Sequence, residues 1–98
     1  MGFTDIKSCI IKCLESGDYD HETRTSIDVK NLLACGQISE AEVIRLINKT
    51  RGTEYEKSPH HYDRSVMVHI FKPKDNGMTW YIKFYFVEPS AMFISVHL

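Results

Sequence analysis

Residues 64–71, 80–87 and 92–98 close the chain in three runs that alternate apolar and polar side chains. A period of two over such lengths has one economical solution, a set of neighbouring β-strands with a shared buried face. The apolar set expected on that face is Val66, Val68 and Ile70, then Trp80, Ile82, Phe84 and Phe86, then Met92, Ile94, Val96 and Leu98. The opposite set, His69, Tyr81, Lys83, Tyr85, Ser95 and His97, would then converge on a second face.

Turn chemistry gives the expected pairing. Asp75, Asn76 and Gly77 separate the first two runs, and a three-residue loop with Gly77 in the left-handed region keeps all the apolar residues together. That choice sets His69 opposite Lys83 and Phe71 opposite Tyr81. A two-residue Asn76-Gly77 loop would instead send Ile70 to the polar side. A similar three-residue loop at Glu88, Pro89 and Ser90 would place Tyr81 opposite His97.

The first half of the chain changes period. Ile6, Cys9, Ile10, Cys13 and Leu14 recur at helical spacing, with Thr4 or Asp5 as start signals and Gly17 as the stop. Asp18 to His21 reads as a polar junction. Ile27, Val29, Leu32, Leu33 and Cys35 before Gly36 predict a second helix. Ser39 and Glu42 form a capping box, and Val43, Ile44, Leu46 and Ile47 give a third helix its apolar stripe. Thr53 to Lys57 predicts a short strand, followed by a loop through Ser58, Pro59, His60 and His61. The expected fold is therefore α+β, a single domain over residues 1–98 with about three N-terminal helices packed on one face of a C-terminal antiparallel sheet.

Ninety-eight residues support one modest core and leave no room for a separate cofactor domain. The formal net charge of −1 argues against broad phosphate neutralisation as the main source of affinity, so any nucleic-acid contact is expected to be local. Three cysteines, Cys9, Cys13 and Cys35, are an odd number, and the N-terminus lacks the charged start and apolar core of a secretion signal. With no membrane-length apolar run, the expectation is a soluble cytoplasmic protein that makes no membrane contact. Cys9 and Cys13, one helical turn apart, read as free core thiols. No metal-ligand spacing or Gly-rich phosphate loop is present, so neither metal nor cofactor is expected. Glu15, Asp18, Asp20 and Glu22 read as a solvated helix junction, or as a patch that steers partners.

Imidazole (His69, His97), phenol (Tyr81, Tyr85) and ammonium (Lys83) recur on the polar face, with Lys57 and Arg64 nearby in sequence. Metal-free RNA cleavage needs little more. One group takes the 2′-hydroxyl proton, another protonates the departing 5′-oxygen, and a cation steadies the phosphorane. The same residues also suit the wet side of a half-buried sheet, where cross-strand pairs stabilise the fold and polar tips stay solvated.

The segment Tyr55-Glu56-Lys57-Ser58, the strand end Ile70-Phe71-Lys72-Pro73, the run Tyr81-Ile82-Lys83 after the Gly77 turn, and the closing Ile94-Ser95-Val96-His97 together resemble the MqsR family of bacterial ribonuclease toxins, within the wider RelE-like group. The similarity covers roughly residues 54–98. It implies a RelE-like fold, mRNA cleavage and neutralisation by a cognate antitoxin protein. In the family a Lys before Ser, a Tyr in the strand after the turn and a basic residue near the C-terminus contribute to the cleaving surface. The matching positions are Lys57, Tyr81 and His97, with His replacing the family's Lys. Val68 and His69 stand where the family has a polar pair, and only His69 keeps a titratable group there.

On that reading His97 or His69 serves as general base or acid. Tyr81 holds or protonates a phosphate oxygen, Lys57, Lys83 and Arg64 stabilise charge, and Tyr85 stacks on a base. The substrate is single-stranded or ribosome-bound mRNA, cut through a 2′,3′-cyclic phosphate. Two other classes stay open: a small interaction or inhibitor module, immunity-like or phage-encoded, and a nucleic-acid-binding domain without catalysis.

Overall fold

The computed structural model describes residues 2–22 and 30–98. Its elements in chain order are α1 (Phe3–Ser16), β1 (Tyr19–His21), α2 (Glu40–Lys49), a short 3₁₀ turn (Gly52–Glu54), β2 (Tyr55–Pro59), β3 (Met67–Phe71), β4 (Lys74–Asp75), β5 (Met78–Thr79), β6 (Tyr81–Val87) and β7 (Ser90–His97). Strands order as β1-β7-β6-β3-β2 in a sheet that is antiparallel except for the parallel β1–β7 pair, while β4 and β5 form a separate two-stranded ribbon. The α+β class stands. Among the described residues there are two α-helices. Of the helix expected from Ile27 to Cys35, the start lies outside the described residues, Lys30 is helical, and residues 32–36 are a turn instead.

Helix α1 buries Ile6, Ile10, Cys13 and Leu14, and α2 buries Val43, Leu46 and Ile47, each from one stripe at helical spacing. These pack with Ile38, Phe71, Ile82, Phe84, Ala91, Phe93 and Val96 as one core. The α1 stop works through Gly17, whose φ of 78° lets the N–H groups of Gly17 and Asp18 reach the carbonyls of Leu14 and Cys13. The start differs from expectation: Gly2 is the N-cap and neither Thr4 nor Asp5 caps. Phe3 draws the helix start two or three residues earlier by packing on Tyr55 and Phe71, each with ring centroids 5.4 Å away. At α2 the Ser39 hydroxyl accepts from the Glu42 N–H at 3.1 Å, while the Glu42 carboxylate turns to Arg45.

Residues 18–21, expected as a polar junction, contain a strand. Tyr19 packs edge-on against Phe93 at 5.6 Å and its hydroxyl bonds Glu40, so one aromatic side chain recruits an otherwise polar segment to the sheet edge. Burial and the Glu40 carboxylate push the Tyr19 phenol up to about 12.

The faces of β3 differ from expectation, and the cause lies in the turn. Asn76 (φ 53°) and Gly77 (φ 75°) form a two-residue hairpin loop between Asp75 and Met78, with both central residues in the left-handed region. The register this sets continues into the main sheet, where His69 faces Phe84, Ile70 faces Lys83 and Phe71 faces Ile82. Directly opposed residues share a face. His69 and Phe71 therefore lie on the helical side, and Val68 and Ile70 lie on the other. The ribbon is held to α2 because the Asp75 carboxylate accepts from Arg45 at 2.9 and 3.1 Å and from Lys49 at 2.8 Å. Those two cations hold the Asp75 carboxyl well below its usual range.

A second displacement cancels itself. The β6–β7 loop is the two-residue Glu88-Pro89, one shorter than expected, but a bulge between the pairs Lys83–Ser95 and Phe84–Phe93 inserts Ile94. Beyond the bulge Tyr81 lies opposite His97, the expected pair. Phe93 takes the core position and Met92, expected to be buried there, pairs with Tyr85.

Gly77→Ala tests the turn. The new Cβ meets nothing within 4 Å, so its cost is the backbone conformation alone, about 1–2 kcal/mol. Asn76→Gly, which frees the other left-handed position, is expected to change stability by well under half that amount. Urea denaturation of both variants measures the difference.

Candidate functional site

The sheet face away from the helices carries the expected polar row in part. Along β6, Tyr81, Lys83 and Tyr85 project on this side, and β7 adds Ser95 and His97 opposite Lys83 and Tyr81. Their floor is apolar: Val68, Ile70 and Ile94 are buried as a small second cluster beneath Tyr81 and Tyr85. This face is thus a packed surface with polar tips, formed because the hairpin register delivers β3's aliphatic residues to it.

At one end the rings of Tyr81 and His97 stack with centroids 5.3 Å apart and an interplanar angle of 22°. His97 Nδ1 lies 2.8 Å from the Leu98 carbonyl oxygen, to which it donates. In the neutral ring that bond leaves Nε2 with the lone pair. Lys83 sits two residues along β6, about 7 Å from Tyr81 by strand rise.

At the other end lies a network that the sequence reading missed. The Glu22 carboxylate, at the end of β1, accepts from His60 Nε2 and from the Tyr85 hydroxyl on the same oxygen, both at 2.9 Å. His60 Nδ1 accepts the Tyr62 backbone N–H at 3.0 Å, which assigns the imidazole proton to Nε2. Burial and the Glu22 charge push the Tyr85 phenol up to about 12. Glu22 was read as part of a solvated acidic junction and His60 as a loop residue. The two lie 38 positions apart, and no periodicity links them.

Lys57 and His69, expected to join Tyr81 and His97, lie on the helical face instead, where β2 places them opposite each other. The four-residue constellation is not formed. His69 is 8% exposed, packs against Phe84 and Phe86 at 5.6 and 5.5 Å, and bonds the Tyr55 hydroxyl through Nδ1 at 2.9 Å. Burial, then the nearby Lys57 charge, pushes the His69 imidazole below its ordinary value, and burial raises the Tyr55 phenol. His69 is a core residue with a satisfied hydrogen bond. Arg64 is exposed in the loop of residues 60–66.

A third histidine is also built into the fold. His21 Nδ1 accepts from the buried Asn31 side-chain amide at 3.0 Å, and Asn31 Oδ1 accepts the Ala34 N–H at 3.1 Å. Burial lowers the His21 imidazole as well. Of the cysteines, only Cys13 is buried; Cys9 is half-buried and Cys35 exposed. Among the described residues no three His, Cys, Asp or Glu side chains are placed to hold a metal ion, and no helix is long and apolar enough to cross a membrane.

The chain matches no protein-family model and no curated protein.

The two depressed imidazoles give a signed pH dependence. His69 and His21 resist protonation when folded, while the unfolded chain protonates them near pH 6.5. Stability is complete above that pH and falls as pH drops below it, until the folded rings also take up protons. The urea midpoint is expected to fall between pH 7.5 and pH 5, with His69→Gln showing a shallower fall; an unchanged slope in that variant contradicts the assignment.

Proposed function

We propose that the protein is a metal-independent endoribonuclease that cleaves mRNA, and that a cognate antitoxin protein restrains it by covering the sheet face opposite α1 and α2. The observation that carries the reading is the stacked Tyr81–His97 pair, half-buried and opposite each other on the face away from α1 and α2, with Lys83 two residues away. The resemblance of residues 54–98 to the MqsR toxins supports it from the sequence side, since two of the three matched positions, Tyr81 and His97, fall together.

The chemistry follows from the groups present. His97 Nε2, its other nitrogen occupied by the Leu98 carbonyl, accepts the proton of a 2′-hydroxyl as that oxygen attacks phosphorus. The Lys83 ammonium stabilises the phosphorane charge. The Tyr81 phenol donates to the departing 5′-oxygen, and the product carries a 2′,3′-cyclic phosphate. The aromatic stack holds the imidazole plane in place, a positioning effect. His69 and Lys57 have no part in this scheme because they sit across the sheet.

The test is cleavage of single-stranded RNA by purified protein, with the product ends identified. His97→Ala and Tyr81→Phe are each expected to lower kcat/KM by about 10²–10⁴-fold with folding intact, while excess chelator leaves the rate unchanged. His69→Gln, where it folds, is expected to stay within a few-fold of wild type. A wild type that leaves RNA intact contradicts the proposal and favours the interaction-module class. Equal loss in His69→Gln and His97→Ala would contradict the division between faces.

A further inference from the structure

We infer that the loop of residues 60–66 is a preset stacking platform that seats one nucleobase of a single-stranded RNA on the ring of Tyr62. The inference rests on the RNA-cleaving reading of the same face and names where the strand is held away from the scissile bond.

Tyr62 is 87% exposed, more than any other large apolar side chain among the described residues. An exposed aromatic ring on a loose loop would carry little meaning, but this loop is tied by hydrogen bonds at both ends and at its centre. The His60 N–H donates to the Val66 carbonyl at 2.8 Å, and the Val66 N–H donates to the Asp63 carbonyl at 3.0 Å. The Ser65 N–H and hydroxyl both donate to the Asp63 carboxylate, at 3.1 and 2.6 Å.

The loop is also anchored from below. The His60 side chain, 10% exposed, spends Nε2–H on Glu22 and Nδ1 on the Tyr62 N–H, and its ring meets Tyr85 edge-on at 5.0 Å. One ring is consumed in holding the loop so that the second residue along can stand in solvent. His61 meets the Tyr62 ring edge-on at 4.9 Å, and Arg64 is exposed two residues on.

Such an arrangement fits a nucleobase. Every base offers a π-face to a fixed aromatic ring, and a guanidinium beside it suits a phosphate. Ordering the loop before binding removes an entropic cost that a mobile loop would incur on binding. Position agrees. The His60–Tyr85 contact puts the base of the loop at one end of the β6 row, and Tyr81 with His97 lies at the other end, about 13 Å from Tyr85 by strand rise with Lys83 between. A strand lying along β6 thus meets the cleaving pair, the ammonium and the platform in turn.

The experiment measures binding apart from cleavage, using a short fluorescein-labelled 2′-O-methyl oligoribonucleotide of mixed sequence, which lacks the attacking hydroxyl. Anisotropy titrations are run on wild type, Tyr62→Phe, Tyr62→Leu and Tyr62→Ala, with circular dichroism to check the fold. Tyr62→Phe is expected to bind within about twofold of wild type, and Tyr62→Ala about five- to a hundredfold more weakly. Tyr62→Leu should resemble Tyr62→Ala, because bulk without a π-face does not stack.

Equal binding by Tyr62→Ala and wild type, or no binding by wild type, overturns the platform. Parallel assays on unmodified RNA separate this from the cleavage reading. Tyr62-dependent binding without any cleavage sinks the nuclease and leaves the platform; cleavage with Tyr62-independent binding does the reverse. With both intact, Tyr62→Ala raises KM and leaves kcat near wild type.

Discussion

The hairpin at Asn76-Gly77 sets which side chains share a surface in this protein. Because side chains alternate with a period of two, changing the loop by one residue moves every residue of β3 to the other face. With two residues in the left-handed region, His69 and Phe71 enter the helical core and Val68 and Ile70 become the floor of the open face. The Asp75 contacts with Arg45 and Lys49 tie that same hairpin to α2, so helix packing and strand register support one another.

The consequence is a division of labour among imidazoles. His69, His21 and His60 all have a nitrogen satisfied within the fold, by Tyr55, Asn31 and the Tyr62 backbone respectively. Buried polar groups left unpaired are costly, and among the described residues no buried side-chain nitrogen or oxygen lacks a partner. His97 also has one nitrogen bonded, to the Leu98 carbonyl, but it lies on the sheet face opposite α1 and α2, stacked on Tyr81. On the proposed reading its second nitrogen is the proton acceptor.

Much of this was legible in the residues. The stripes of α1 and α2, the Gly17 stop, the Ser39 cap and the meander of β3, β6 and β7 follow from spacing and turn chemistry, whereas the expected Tyr81–His97 pair arises only because the bulge offsets a loop one residue shorter than expected. β3 was not legible because it is apolar in both phases: Val68 and Ile70 on one parity, Phe71 with Met67 on the other, so alternation cannot choose a face. Keeping the apolar residues together favoured the wrong loop length, and local Asn-Gly chemistry was the better guide. The bulge at Ile94 left no sequence signal, since Met92, Phe93 and Ile94 are all apolar. The strand at Tyr19 and the Glu22–His60–Tyr85 network depend on contacts between distant segments, which no local pattern records.

The most direct measurement of the central claim, that the working imidazole lies on the open face and His69 does not, is imidazole ¹H–¹³C NMR of the folded protein titrated with uncleavable 2′-O-methyl RNA. The account predicts that the His97 resonances move with added RNA while those of His69, sealed between Tyr55 and Phe84, stay in place. Movement at His69 with His97 silent would contradict it.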